Sequence, residues 1–471
     1  MLENGIKENY MQLLDSTLRE GEQTPGVSFT VEEKLEIARL LDEFGIDIIE
    51  VGHPAVSQDV KEACRVISGD GLQAETMAHS RALKEDIHQA SEVGVDWIGI
   101  FLGTSQLSLD HKLHVKHAKG LEMIHESVSL AKKLGLKVRF TPEDATRTDL
   151  EYLKQAIKSA EGAGADRISI ADTVGTATPS SYGSLIKKVM RLTDLPLHVH
   201  CHNDYGMAVA NSLAGFESGA YLIDVTVNGL GERTGIPPLA PVVVALTRLF
   251  DVHKDWKLTM LPKLSEEVER MSNLLNSETE PIVGKYAFAH KSGLHTKAVL
   301  EDPKTYEAIP PDLVHKHREL VIDKYAGKAV VRDRLNRMGV EPADEDLARI
   351  VKLVKEAGGD GKIRFTDVDL LEISDDVLDL NIRSRIPVKV EALISISLHS
   401  TSYTTRATRK IASYEQIDTV YELTGEFDIQ AHLETSTIEQ LNDIIEEFRN
   451  MEEVKTSTTS LILKGYESKV Q

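Results

Sequence analysis

Between Leu197 and Gly206 the chain reads LHVHCHNDYG, with histidines at 198, 200 and 202 and an Asn-Asp pair behind them. Alternate side chains of a strand share a face, so His200 and His202 point one way while Cys201 points towards the outer layer. Two neutral imidazoles so placed can grip one divalent cation from a single strand. The other reading is a pair of hydrogen-bonded core histidines, and a third ligand separates the two. The segment LLDSTLREGEQTPG offers Asp15, Arg19, Glu20 and Gln23 just after a strand. Two histidines and one carboxylate leave coordination positions open, the pattern of a metal that also binds substrate. Charges clustered after a strand are otherwise solvated caps.

Bringing these two segments together is the task of the elements around them. Short β-branched runs recur, each followed by a helical pattern: MQLLD from Met11, DIIEV from Asp47, LQAETMA from Leu72 and WIGIFLG from Trp97. LKVRFT from Leu136, RISIAD from Arg167, LHVHCH from Leu197 and LIDVTVNG from Leu222 complete the set. TVEEKLEIARLLDEFG shows helical spacing, a Thr30 cap and a Gly45 stop. Such a series of strand-helix units predicts an α/β fold, a (β/α)8 TIM barrel, with an open doubly wound sheet as the alternative. Closure sets strand one beside strand eight, with strand seven next but one, and the acting residues lie at the C-terminal strand ends. A mainly helical region follows. From Val388 the pattern is strand, helix (TRKIASYEQI), two strands, helix (TIEQLNDIIEEFRN), strand, a ferredoxin-like βαββαβ domain of the kind that binds regulatory ligands. The expected division is a catalytic barrel over 1–275, a helical subdomain contributing to the active site over 276–385 and a regulatory domain over 386–471.

Composition sets the class. Of the 471 residues, 41% are hydrophobic and 27% charged, as in folded multidomain proteins. A net charge of -21 argues against sequence-independent nucleic-acid binding, and an anionic substrate needs local basic residues to overcome that field. Two cysteines, Cys64 and Cys201, make no CxxC pair, so neither a disulfide framework nor a cysteine-zinc site is expected. No signal peptide or apolar membrane span is visible, and a reducing cytoplasm is the expected location.

DSTLREGEQTPG, TPEDATRTDL, ADTVGTATP, HCHNDYGMAVANS and NGLGERTGIPPLA, in this order, resemble the Claisen-condensing acyltransferases that join acetyl-CoA to a 2-oxoacid. The resemblance runs from about Met11 to beyond Tyr306. It implies that Glu20, His200 and His202 hold a divalent cation (magnesium, manganese, cobalt or zinc) that a 2-oxoacid chelates. It further implies that Arg19 stabilises the developing alkoxide and that His295, in HKSGLH, removes the acetyl proton, assisted by Glu143 and Tyr306. Ordinary packing is the other reading of His295 and Tyr306. His198, deeper in the barrel, is expected to be structural.

The 2-oxoacid is read from strand five. Arg139 and Thr141 should point inward, with Thr173 and His79 nearby; Arg19, Gln23 and Glu50 join them as substrate-binding residues. An inward Arg is costly to bury without an anionic partner, and a second substrate carboxylate supplies one; a salt bridge to Glu50 or Glu143 is the other reading. Leucine-pathway members usually resemble VEFSPEDATR here, whereas RFT with a His at position 79 resembles the homocitrate branch, as do GERTGIPPL and AFAHKSGLHTKAV. PEDATR departs from that branch, and Gly99 stands where its lysine-inhibited members carry an Asp. Control by an amino acid, lysine by pathway logic, is therefore expected at the C-terminal domain, which resembles that of leucine-responsive regulators in YELTGEFDIQAHLE.

The expected activity is homocitrate synthesis from acetyl-CoA and 2-oxoglutarate, a 2-oxo dicarboxylic acid, by a homodimer or higher homo-oligomer with no nucleic-acid or membrane partner. On the same scaffold the alternatives are a citrate synthase of the unusual stereochemistry, a citramalate synthase and a 2-isopropylmalate synthase. From other classes they are an acyl-CoA lyase, which would need a cysteine in a mobile Gly-rich loop, and a non-catalytic amino-acid sensor.

Overall fold

A computed structural model of the chain describes residues 11–359, 365–378, 390–399, 404–425, 427–436 and 438–462. Its contacts separate two compact units, one running to Phe288 and including Pro311–His317, the other comprising Ala289–Pro310 and the residues from Arg318 onward.

In the first unit eight parallel strands close in sequence order: β1 (Gln12–Asp15), β2 (Ile48–Gly52), β3 (Glu75–Arg81), β4 (Trp97–Gly103), β5 (Lys137–Glu143), β6 (Arg167–Asp172), β7 (Leu197–Cys201) and β8 (Leu222–Val225). β1 pairs with β8, Leu14 opposite Asp224, so the TIM barrel expected from the sequence is closed. Leu14, Ile48, Met77, Trp97 and Leu222, of which Ile48, Trp97 and Leu222 open their strands, form an apolar cluster. That cluster is the floor of the barrel, and the polar residues stand above it, towards the C-terminal strand ends. The helix Val31–Phe44 begins with a Thr30–Glu33 capping box and stops at Gly45 in the left-handed conformation, as its sequence predicts.

The second unit holds a short parallel pair, β9 (Ala289–His290) and β10 (Glu319–Leu320), and a helical part. Helices Lys328–Arg337, Asp344–Gly359 and Asp367–Leu378 pack around Val331, Leu335, Ile350, Val354 and Leu370. A four-stranded antiparallel sheet follows, β11 (Val390–Leu398), β12 (Ile417–Glu422), β13 (Ile429–Thr435) and β14 (Val454–Leu461), in the order β12-β13-β11-β14. Ala392, Ile394 and Ile396 alternate inward on β11 and meet Ile429, Ala431 and Leu433 of β13 in a buried core. This is the expected βαββαβ domain. Its first helix, read from the sequence as TRKIASYEQI, instead spans Thr404–Ala412. Ser413 and Tyr414 leave the helix through bonds to the carbonyls of Lys410 and Ile411, and the Tyr414 ring packs edge-on against Phe448, 5.1 Å between centroids. The expected start at Val388 and the boundary at 385/386 lie outside the described residues. Among the described residues no helix is long and apolar enough to cross a membrane.

Candidate active site at the barrel mouth

The chain leaves β1 in a turn that keeps Ser16, Arg19 and Glu20 at the mouth. Ser16 Oγ donates to Glu50 Oε2 at 2.5 Å, and Arg19 Nε donates to the same oxygen at 2.7 Å. Arg19 also pairs with Glu20 and reaches Gln23 Oε1 at 3.4 Å. Burial works against the Arg19 charge, but Glu50 and Glu20 hold its pKa above the ordinary value. Glu20 Oε1 accepts the Glu232 amide at 3.0 Å, which ties the GERTG loop to the turn after β1.

Across the mouth, His200 Nδ1 lies 3.1 Å from Asp224 Oδ2, and the His200 and His202 rings are 5.2 Å apart. His202 Nε2 is 3.9 Å from Glu20 Oε1, while its Nδ1 is buried without a partner among the described residues. Glu20, His200 and His202 are all buried, and each offers a ligand atom within 4.8 Å of the others. Their protonation suits a cation. Burial would raise the Glu20 carboxyl, but Arg19 and the two histidines outweigh it and bring it down to about 2. Burial, reinforced by His200, lowers His202 to about 3. An ionised carboxylate and a neutral imidazole thus meet at one point, and the bond to Asp224 leaves His200 its Nε2 as the free ring nitrogen. The three residues fit a divalent cation.

Arg139, at 2% exposure, points into the barrel as expected. Its partners are within the chain: Nη2 donates to Glu50 Oε1 at 2.9 Å and Nη1 to Asp224 Oδ2 at 3.3 Å. The burial of this Arg therefore does not by itself call for a substrate carboxylate. The alternative partner Glu143 instead takes Lys112 Nζ on both oxygens, each at 2.8 Å. Two groups on β5, Arg139 Nε and Thr141 Oγ1, are buried in the interior with no hydrogen-bond partner among the described residues. His79 Nδ1 sits 3.1 Å from Glu50 Oε1, its ring stacked on Phe101 at 4.6 Å. Burial, with Arg19 beside it, lowers His79 to about 3. Thr173 Oγ1 accepts the Asp144 amide at 2.9 Å. A Cβ added to Gly99 would fall 2.7 Å from Arg139 Nη2, so the bare backbone there makes room for the guanidinium.

The structure thus gathers Arg19, Glu20, Gln23, Glu50, His79, Arg139, His200 and His202 into one chain of contacts. His295 and Tyr306 belong to the second unit, where both are exposed and their rings stack at 4.0 Å. His198 is fully buried, its Nδ1 3.4 Å from Asp224 Oδ1, in keeping with a structural role. Sequence reasoning missed Asp224, which touches His198, His200 and Arg139. Its signal is a single acid at an inward position of an otherwise apolar strand, LIDV.

Comparison with known proteins bears on this arrangement. Residues 10–268 match the HMGL-like family model, 282–362 the homocitrate synthase post-HMGL domain-like model and 391–470 the Lrp/AsnC ligand binding domain model. A curated homocitrate synthase of Sulfolobus acidocaldarius is 46% identical over 96% of this chain and 97% of its own length. The chain belongs to the homocitrate synthase family. A second member, from Sulfurisphaera tokodaii, is 44% identical over 96% of this chain and 99% of its own. Membership makes this an acyl-transferring enzyme of amino-acid biosynthesis and implies a divalent metal, in agreement with the Glu20–His200–His202 group. Solved structures of HMG-CoA lyases share the barrel fold. That from Bacillus subtilis superposes with a TM-score of 0.52 at 18% identity, over 57% of this chain and 96% of the lyase. That from Pseudomonas aeruginosa gives 0.52 at 21%, over 57% and 95%. Both cysteines of this chain are buried, Cys64 on the helix Gln58–Ser68 and Cys201 on β7, and burial pushes each thiol up to about 12.

Proposed function

We propose that the chain makes homocitrate from acetyl-CoA, 2-oxoglutarate and water, with release of CoA. The observation that carries this reading is 46% identity with a curated homocitrate synthase over 96% of the chain. Glu20, His200 and His202 would hold the divalent cation, and magnesium, manganese, cobalt or zinc suits a set of one carboxylate and two imidazoles. When bound, the cation acts as a Lewis acid on the 2-oxoacid carbonyl.

The remaining work falls to the chain's own groups. A base removes a proton from the acetyl methyl, the carbanion adds to the keto carbon, and the alkoxide takes up a proton. Water then cleaves the thioester. His295 is the base, Glu143 and Tyr306 assist, and Arg19, oriented by Glu50, stabilises the alkoxide. Arg139, His79, Thr141 and Thr173 receive the distal carboxylate, with Gln23 and Glu50 holding the substrate-binding set together. The orphaned Arg139 Nε and Thr141 Oγ1 support that role, because buried donors without partners are rare.

The same reading takes 1–275 as the catalytic part, 276–385 as a subdomain contributing to the active site and 386–471 as the regulatory part. The enzyme acts in the cytoplasm as a homodimer or higher homo-oligomer, and the C-terminal domain senses an amino acid, lysine. The deciding assay is CoA release from acetyl-CoA with 2-oxoglutarate, oxaloacetate, pyruvate or 2-oxoisovalerate, with and without EDTA. Turnover highest with 2-oxoglutarate and abolished by EDTA is expected. A preference for 2-oxoisovalerate would overturn the substrate assignment, and no release with any of the four would overturn the condensation.

A further inference from the structure

Acetyl-CoA brings several negative charges on its phosphates to a chain whose net charge is -21. An anion approaching such a molecule needs a local positive surface that overcomes the overall field. One stretch of the barrel unit supplies it. Residues 111–119, HKLHVKHAK, contain three lysines and three histidines and no acid, and all six basic side chains are exposed. The stretch follows β4, so it lies on the rim where the C-terminal strand ends open. It starts in the π-helical turn Leu109–Leu113, which closes at His114 with φ 53°, and runs into the first turn of the long helix His117–Lys133. The amides of that first turn, which Lys116 at the N-cap leaves without a side-chain cap, add to the positive potential.

Two further observations connect this surface to the chemistry. Lys112 Nζ reaches both oxygens of Glu143 at 2.8 Å, so the basic stretch begins at a proposed catalytic carboxylate and leads outward from it. Beside it lies a cavity of about 360 Å3 lined by Thr104, Thr148, Arg147, His117 and Tyr152. The His117 and Tyr152 rings stack at 4.1 Å and present an aromatic wall; Gln106, Thr146 and Asp149 also line the cavity, the Asp149 carboxylate being engaged in capping the helix Leu150–Gly162. A cleft with an aromatic wall, polar donors and a cationic margin suits a phosphorylated nucleoside.

We propose that residues 111–119 and the adjoining cleft bind the phosphoadenosine end of acetyl-CoA, leaving the pantetheine arm to carry the acetyl group to Glu143. This inference rests on the condensation proposed above. The test uses the full chain carrying Lys116→Glu and Lys119→Gln, two exposed positions outside the catalytic set. Acidic and neutral residues at a helix N-terminus favour the helix, so the variant should keep its fold, checked by its melting temperature. The control is Lys187→Glu with Lys188→Gln, which makes the same change in charge at the far end of the helix Pro179–Val189.

Steady-state kinetics should show the KM for acetyl-CoA rising about tenfold in the first variant, with kcat and the KM for 2-oxoglutarate unchanged. Calorimetric titration with CoA alone should weaken by a similar factor. An acetyl-CoA KM equal to wild type overturns the inference, and so does an equal rise in the control, which would assign the effect to overall charge. Failure of the condensation reading looks different: wild type itself would release no CoA with 2-oxoglutarate, and this inference would fall with it.

Discussion

Two buried carboxylates organise the mouth of the barrel. Glu50 takes Ser16 and Arg19 on one oxygen and His79 and Arg139 on the other. Asp224 takes both His200 Nδ1 and Arg139 Nη1 on Oδ2, so a proposed metal ligand and a proposed substrate ligand share one anchor. A carboxylate behind a ligating imidazole fixes its orientation and basicity, and losing one typically costs 10- to 100-fold in metal affinity. Asp224→Asn is expected to weaken cation binding by about that factor in a chelator competition assay. Unchanged affinity would remove Asp224 from that role. Gly99→Ala probes the other end, since its Cβ would meet Arg139 Nη2 at 2.7 Å. The guanidinium must move, and the KM for 2-oxoglutarate should rise roughly tenfold while that for acetyl-CoA stays constant. Arg139→Glu is a harsher test, because it sets a third carboxylate against Glu50 and Asp224, at a stability cost of about 3–5 kcal/mol.

His79 gives a pH dependence of stability. Its folded pKa, about 3, lies below the usual 6.5, so between those values the unfolded chain binds a proton that the native state refuses. Stability therefore rises with pH across that window, by up to about 1.4 kcal/mol per unit from this group. The difference between urea midpoints at pH 5 and 7 should shrink in His79→Asn, with His202 keeping its own share of it; an undiminished difference would mean that His79 does not titrate this way.

At the scale of elements, alternation along the strands does most of the positioning. The helices hold that arrangement from outside, and their ends carry local signals that act independently of the site. The Thr30–Glu33 capping box satisfies two amides that the helix Val31–Phe44 would otherwise leave open. Thr30→Ala should lower the unfolding free energy by about 1 kcal/mol in a urea titration and leave the KM values untouched. The first helix of the C-terminal domain shows where such local reading fails. SYEQI carries no strong helix stop, yet Tyr414 exchanges a place in the helix for burial against Phe448, a tertiary contact that no local pattern announces.

For the whole molecule, the C-terminal sheet and its two helices close a core of their own, from Ala392 to Val454. A chain ending before Val390 is expected to keep EDTA-sensitive CoA release and to lose any response to lysine. Loss of a folded barrel in the truncated chain would show that the two roles are not separable.

Much of this protein was determined by its sequence alone, because the signals are periodic and local. The alternation of LHVHCH put His200 and His202 on one face, and the recurrence of strand and helix patterns pointed to a barrel, with an open doubly wound sheet as the alternative that the pairing of β8 with β1 excludes. What the tertiary structure decided is which charges meet. Arg139 stands 89 residues from Glu50 and 85 from Asp224, and only closure of the barrel, with β8 returned to β1, places them within hydrogen-bond reach. Sequence could show that an inward Arg needs an anion; the choice of partner depended on a geometry in which strands distant in the chain share one interior.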